Sequence, residues 1–147
     1  MSPEQTAVPY EMALEVQPSD IDQLGHVNNV VYVRWVQDAA VAHWTALTTT
    51  AQRAKVAWVA VRHEIDFKRP AYPADPIIAR TWVGPASALA FERHTEILHA
   101  RDRRLLARAR TLWCPIDPAS GKPCRVSADV RALVSVPVDG TQRAADQ

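Results

Sequence analysis

The fold is decided by residues 19–44, SDIDQLGHVNNVVYVRWVQDAAVAHW, which join a short polar loop to a long apolar run. Asn28 comes directly before the apolar run, and Asn is a favoured residue at a helix N-cap. The run is too long for a strand and carries too few charges for a surface helix, so it predicts a helix buried on most of its faces. The loop therefore delivers polar side chains to the positive end of a helix, a position that suits developing negative charge.

Five further segments have the apolar or alternating patterns that are typical of strands. One precedes the loop and four follow the helix with short connections, at residues 10–17, 55–67, 75–83, 89–98 and 105–114. Because the start of the segment 55–67 is strongly apolar, we expect this strand to be central in the sheet at its start. Ser127 predicts the cap of a short terminal helix that runs through Leu133. Residues 1–9 and the polar tail after Pro137 are predicted to be frayed or disordered.

Consecutive strands joined by turns predict an antiparallel sheet, and this sheet must wrap around the one long helix. The fold class is therefore α+β. We expect a single domain over residues 1–147, with its core at about residues 10–133. The second face and the edges of such a sheet need cover, which predicts a homodimer or homotetramer.

The composition argues against several kinds of partner. The chain has 17 Lys and Arg against 16 Asp and Glu, so no strong net charge attracts it to nucleic acid or to an anionic membrane. Its apolar stretches are shorter than the roughly 20 residues of a membrane helix, and the N-terminus lacks the pattern of a signal peptide. The two cysteines have no metal-ligand spacing around them. We therefore expect a cytoplasmic protein without a metal site.

The order of these elements, together with the box Asp22-x3-His26-Val27-Asn28-Asn29-x2-Tyr32, resembles the hotdog-fold acyl-CoA thioesterases. Within that group the chain is most similar to the 4-hydroxybenzoyl-CoA thioesterase family and to the branch that carries an HVNN box. The resemblance spans residues 10–133. It implies hydrolysis of acyl-CoA thioesters to a free acid and CoA at sites between subunits. It implies no cofactor beyond the coenzyme A of the substrate.

The resemblance also implies roles for three residues of the box. Asp22 is the catalytic carboxylate, either as a general base toward water or as a nucleophile that forms a mixed anhydride. Asn29 opens the helix, and its backbone N–H polarises the thioester carbonyl. His26 orients the carboxylate or the substrate, or hydrogen-bonds within the loop. From the residues alone, Asp22 could instead form an Asx-turn, with Asp20 as the base.

Other residues of the chain are candidates for substrate binding. Gly25 supplies a backbone shape that a Cβ would hinder, and its N–H could face the substrate. Asn28 is both the helix cap and a neighbour of the site, and Tyr32 lines the acyl pocket or belongs to the core. The phosphates of coenzyme A need cations at the mouth of the site. Each candidate is otherwise a simple surface charge: Arg62, Lys68, Arg69, Arg93, Arg108 and Arg110.

Two other functions stay open at this point. A hotdog protein that binds acyl-CoA or another small ligand without turnover is the main alternative. It is favoured by Gln37, which stands where the family often has Glu, and by Asn29, where one branch has a second His. A hotdog dehydratase or hydratase is the other alternative, although those enzymes use a His with a carboxylate on a differently spaced loop.

Overall fold

The computed structural model describes residues 8–134, and the predictions for residues 1–7 and for the tail after Pro137 lie outside this range. A turn of 3-10 helix, Pro18–Asp20, precedes the polar loop. Within the described range the chain forms five strands and three α-helices, which are β1 (Tyr10–Glu15), α1 (Asn29–Leu47), α2 (Thr50–Ala54), β2 (Ala57–Phe67), β3 (Pro76–Ala86), β4 (Phe91–His99), β5 (Leu105–Ile116) and α3 (Ala128–Val134).

The strands form one antiparallel sheet in the order β1-β3-β4-β5-β2. Helix α1 packs on one face of this sheet, mainly against β1, β3 and β4. The arrangement is the predicted α+β hotdog fold, an antiparallel sheet around one long helix. A register shift between Val83 and Ala86 on β3 lies where the sequence predicts a turn or bulge.

Helix α1 begins where the sequence predicts, because the Asn28 Oδ1 accepts the N–H of Val30 at 2.9 Å. The prediction of burial on most faces was wrong for the single chain: Val30 and Val41 are 73% and 59% exposed. The apolar residues of α1 therefore occupy more of the helix surface than the sheet of the same chain covers. The buried positions follow helical spacing along one face and are Val31, Tyr32, Trp35, Val36, Ala39, Ala40 and His43.

Strand β2 lies at the edge of the sheet, so the prediction that its start is central was wrong. Val59 and Val61 are 47% and 62% exposed. The apolar residues of an uncovered edge give the same sequence pattern as those of a buried strand, and composition alone could not separate the two cases. Helix α2 was not predicted; Thr49 caps it, with its Oγ1 accepting the N–H of Gln52 at 3.1 Å.

The core has two parts along α1. The first lies beneath the N-terminal half of the helix and includes Tyr32, Trp35 and Leu106. The second lies beneath the C-terminal half, where Phe91 packs with Trp44, Trp58 and their neighbours. The first part supports the polar loop, and the second lines a cavity.

Candidate active site

Residues 20–28 form a closed loop at the N-terminus of α1. The Asn28 N–H donates to the carbonyl oxygen of Asp20 at 2.9 Å, and Ile21 pairs with Val27 in an isolated β-bridge. Gly25 makes the turn with a φ of 82°, in the left-handed region where glycine is favoured. These bonds hold the polar box residues next to the first turn of the helix.

Asp22 is half-buried in this loop. Its Oδ1 accepts the N–H of Leu24 at 2.9 Å, which is the Asx-turn that the sequence left as an alternative. Its own N–H donates to the carbonyl oxygen of His26 at 3.1 Å. Within residues 8–134 the other carboxylate oxygen, Oδ2, has no hydrogen-bond partner. The turn therefore orients the carboxylate and leaves one oxygen available for a further contact.

Asn29 is exposed and is the first residue of α1. The N–H groups of Val30 and Val31 both bond to Asn28, at its Oδ1 and its carbonyl oxygen, each at 2.9 Å. The Asn29 N–H, in contrast, finds no acceptor in the described part of the chain. Because it lies at the positive end of the helix, this N–H is suited to an anionic or polarised oxygen.

His26 is half-buried, and its carbonyl oxygen rather than its ring bonds to Asp22. Its Nδ1 is buried and has no partner among the described residues. The ring lies edge-on to Tyr72, with 6.3 Å between the ring centroids. Tyr72 was not predicted as a neighbour of the site; the sequence shows only an aromatic residue in the proline-rich connection after β2.

Asp20, the other candidate base, is 2% exposed, and both of its carboxylate oxygens accept hydrogen bonds. The Arg34 Nη2 donates to its Oδ1 and Oδ2 at 3.0 and 3.1 Å, and its Oδ2 also accepts the N–H of Gln17 at 2.9 Å. These contacts anchor the loop to α1. They make Asp22 the better candidate for chemistry, because Asp22 keeps an oxygen without a partner in the described chain.

The predicted binding residues of the box have structural contacts of their own. The Gly25 N–H donates to the carbonyl oxygen of Asp22 at 3.0 Å, so this N–H is already hydrogen-bonded within the loop. The Asn28 Oδ1 caps the helix. Tyr32 is 2% exposed, and its hydroxyl accepts the N–H of Ala71 at 3.1 Å. Burial raises the pKa of Tyr32. The structure thus places Tyr32 in the core, which is one of the two positions that the sequence allowed.

The cations predicted to meet the phosphates of coenzyme A do not form one group: Arg69 follows Lys68, Arg110 pairs with Glu64 at 3.3 Å, and Arg108 pairs with Glu96 at 3.8 Å. Lys68 directly follows Phe67, whose ring centroid is 5.4 Å from that of Tyr32, so it lies at the loop end of the sheet. Arg62 lies in the middle of β2, is 61% exposed, and pairs with Glu64 at 2.5 Å. Arg93 is only 6% exposed, so the prediction that it is a cation at the mouth was wrong.

The family of the chain is shown by comparison with known proteins. A family model described as the thioesterase-like superfamily matches residues 16–134. The chain belongs to this superfamily. The match confirms the resemblance to hotdog thioesterases, and it covers the loop, α1 and most of the sheet of this thioesterase-like protein. No curated protein matches the chain.

Solved structures share the fold at low sequence identity. Slr0204, a 1,4-dihydroxy-2-naphthoyl-CoA thioesterase from Synechocystis, is 23% identical with a TM-score of 0.76, over 86% of this chain and 96% of that one. PA5185 from Pseudomonas aeruginosa is 17% identical with a TM-score of 0.78, over 88% and 94%. A Thermus thermophilus thioesterase complexed with coenzyme A and Zn is 18% identical with a TM-score of 0.74, over 84% and 90%.

In the described range, no helix combines the length and the apolar character that are needed to cross a membrane. Over the same residues, no three His, Cys, Asp or Glu side chains group in a way that could hold a metal ion.

Proposed function

We propose that this protein hydrolyses acyl-CoA thioesters to a free acid and coenzyme A. The observation that carries the proposal is the junction between the loop and α1. There, a carboxylate oxygen of Asp22 and the backbone N–H of Asn29 both lack a partner among the described residues. Membership of the thioesterase-like superfamily supports the reaction class. A similar structure that was solved with coenzyme A supports the substrate class.

In the proposed reaction, Asp22 either takes a proton from an attacking water or attacks the thioester carbonyl carbon itself. In both routes a C–O bond forms and the carbonyl oxygen gains negative charge, which the Asn29 N–H stabilises. Collapse of this intermediate breaks the C–S bond, and coenzyme A leaves as a thiolate that takes up a proton. In the second route, water then cleaves the mixed anhydride and frees the acid. This chemistry needs neither a metal nor a redox cofactor.

His26 is proposed as a positioning residue in this reaction. Its carbonyl oxygen fixes the backbone of Asp22, while its ring makes no hydrogen bond to the Asp22 carboxylate in the described chain. Asn28 and Gly25 are likewise proposed to shape the site through the cap and the turn. We propose Lys68 as the nearer contact for a phosphate of coenzyme A. Arg62 lies five residues before Phe67, about 16 Å along the strand, and is the more distant contact.

We also propose that the protein is a homodimer or homotetramer with its active sites at subunit interfaces. The support is the β2 edge, which leaves Val59 and Val61 exposed together with unpaired backbone groups. A lysine on such an edge opposes pairing with a second chain. Val61→Lys should therefore convert the oligomer to a monomer in sedimentation experiments. A wild-type protein that sediments as a monomer would contradict this part of the proposal.

The experiment that tests the function measures thiol release from a panel of aliphatic and aromatic acyl-CoAs. Asp22→Asn keeps an oxygen that can accept the Leu24 N–H, so it removes the charge and retains the Asx-turn. We expect kcat/KM to fall by at least about 100-fold, the contribution of a general base. The thermal midpoint should stay unchanged.

Asp38→Asn is the matched control, because Asp38 is an exposed carboxylate on α1 and its loss should leave the rate unchanged. If Asp22→Asn also leaves the rate unchanged, Asp22 has no part in the mechanism. If the wild-type protein releases no thiol from any acyl-CoA, the protein is instead the non-catalytic binding protein.

A further inference from the structure

A cavity lies between the C-terminal half of α1 and the sheet. It has a volume of about 60 Å³, and its apolar walls include Trp44, Trp58 and Phe91. Trp44 is 15 residues after Asn29, about 22 Å along the helix. Within one chain, the cavity is therefore separate from the loop that holds Asp22.

The wall of this cavity contains a buried positive charge. Arg93 is 6% exposed, and its Nη1 donates to His43 Nδ1 at 2.9 Å and to Thr81 Oγ1 at 3.2 Å. The Thr81 hydroxyl carries no charge. His43 is neutral at pH 7, because burial lowers its pKa to about 4. Burial also lowers the pKa of Arg93, to about 10, which still leaves it charged at that pH. No carboxylate in residues 8–134 pairs with Arg93, so its charge is not compensated there.

Arg93 also has N–H donors that make no hydrogen bond in the described part of the chain. A guanidinium has five N–H groups, and its Nη1 supplies both bonds described above. Its Nε and Nη2 have no acceptor in the described part of the chain. A buried charge without a counter-charge is unfavourable, so this site favours an anion in the cavity.

Trp113 also lines this cavity. Its Nε1 is buried and has no hydrogen-bond partner among the described residues. Because its Nε1 is not accessible from the cavity, Trp113 serves as a reporter of binding and not as a contact of the ligand.

We propose that this cavity binds a short monocarboxylate. The carboxylate oxygens accept hydrogen bonds from the Nε and Nη2 of Arg93, and the apolar part of the ligand packs against Trp58 and Phe91. A neutral amide or alcohol would leave the charge of Arg93 without a counter-charge, and an anion without an apolar part would leave the aromatic walls without a contact. At about 15 Å³ for each water, the cavity holds about four waters, which suits an acid of the size of acetate to butyrate.

The test is a titration of the ¹⁵N-labelled full-length protein with sodium butyrate, at constant ionic strength, followed by the indole N–H signals of its five tryptophans. Trp113→Phe assigns the Trp113 signal. We expect a saturable shift of this signal with a dissociation constant of about 1 mM. Butyramide, the neutral isostere, should bind at least about tenfold more weakly because it lacks the charge.

Arg93→Met should abolish the butyrate shift of the Trp113 signal, whereas Arg108→Met should leave it unchanged, because Arg108 is 58% exposed on the sheet. If Arg93→Met does not fold, the comparison of butyrate with butyramide on the wild-type protein decides the question. The proposal is overturned if the Trp113 signal does not respond up to about 50 mM butyrate. It is also overturned if butyramide gives an equal response. Loss of thioesterase activity would not affect this result, because the binding is measured directly.

Discussion

Arg34 of helix α1 bonds both carboxylate oxygens of Asp20, at 3.0 and 3.1 Å, across the junction between the polar loop and the helix. Asp20 is 2% exposed, and its carbonyl oxygen accepts the N–H of Asn28 at the other end of the loop. One buried residue thus connects the start of the loop, its end and the helix. We infer that the placement of Asp22 relative to Asn29 depends on this ion pair.

The first prediction concerns the loss of this pair. Arg34→Met keeps a long apolar stem but leaves the buried carboxylate of Asp20 without its cation. The free energy of unfolding should fall by about 1–3 kcal/mol, as measured by urea denaturation. Adding Asp20→Asn to Arg34→Met should recover part of the loss, because the unpaired charge is then removed. An unchanged stability in Arg34→Met would show that the pair does not hold the loop.

The second prediction isolates the proposed oxyanion donor. Proline is favoured at the first position of a helix, where its missing N–H has no intrahelical partner. Asn29 occupies that position, and Asn28 before it has φ −64° and ψ 140°, a conformation that a following proline accepts. Asn29→Pro should therefore keep the fold and the thermal midpoint, and lower kcat by about 10²–10³-fold.

Asn29→Ala is the control for this experiment, because it removes the side chain and keeps the N–H. Its kcat should stay within a few-fold of the wild-type value, and far above that of Asp22→Asn. Equal losses in Asn29→Ala and Asn29→Pro would argue that the side chain acts and that the backbone does not.

The third prediction separates the two positions that the sequence allowed for Tyr32. Tyr32→Phe removes the hydroxyl that accepts the Ala71 N–H and leaves that buried N–H unpaired. The free energy of unfolding should fall by about 1–3 kcal/mol. Because Tyr32 is buried in the core, KM should change little across a series of acyl chain lengths. A KM that changes with chain length would instead place Tyr32 at the acyl pocket.

The features predicted correctly from the sequence depend on local patterns. Asn28 was identified as the cap because its side chain needs only the N–H two residues ahead. The strands and the start of α1 followed from the spacing of apolar residues, and their bounds agree within a few residues. The box from Asp22 to Tyr32 gave the family because its spacing is specific.

The features that were missed depend on contacts between distant residues. Asp20 and Arg34 are 14 residues apart, and nothing in their spacing distinguishes a buried pair from two surface charges. Arg93 was taken as a surface cation, although its partner His43 is 50 residues away on α1. The edge position of β2 depends on the order of strands in the sheet, which apolar patterns do not encode.

The fourth prediction concerns the response to acid and rests on His43, which stacks on Tyr10 and accepts a hydrogen bond from Arg93. Burial, and then the charge of Arg93, lowers the pKa of His43 from 6.5 to about 4. Between these two values the unfolded chain binds a proton that the folded chain excludes. The contribution of His43 to stability is therefore fully present above pH 6.5 and is lost as the pH falls toward 4.

His43→Gln should remove this dependence, because the amide oxygen can accept from Arg93 and does not titrate. From pH 7 to pH 5 the free energy of unfolding of the wild type should fall by about 2 kcal/mol more than that of the variant. Urea denaturation at both pH values gives this difference. The pKa of His63 is also lowered by burial, but His63 is present in both proteins, so its effect cancels. Parallel pH profiles would mean that His43 is protonated as readily in the folded chain as in the unfolded one.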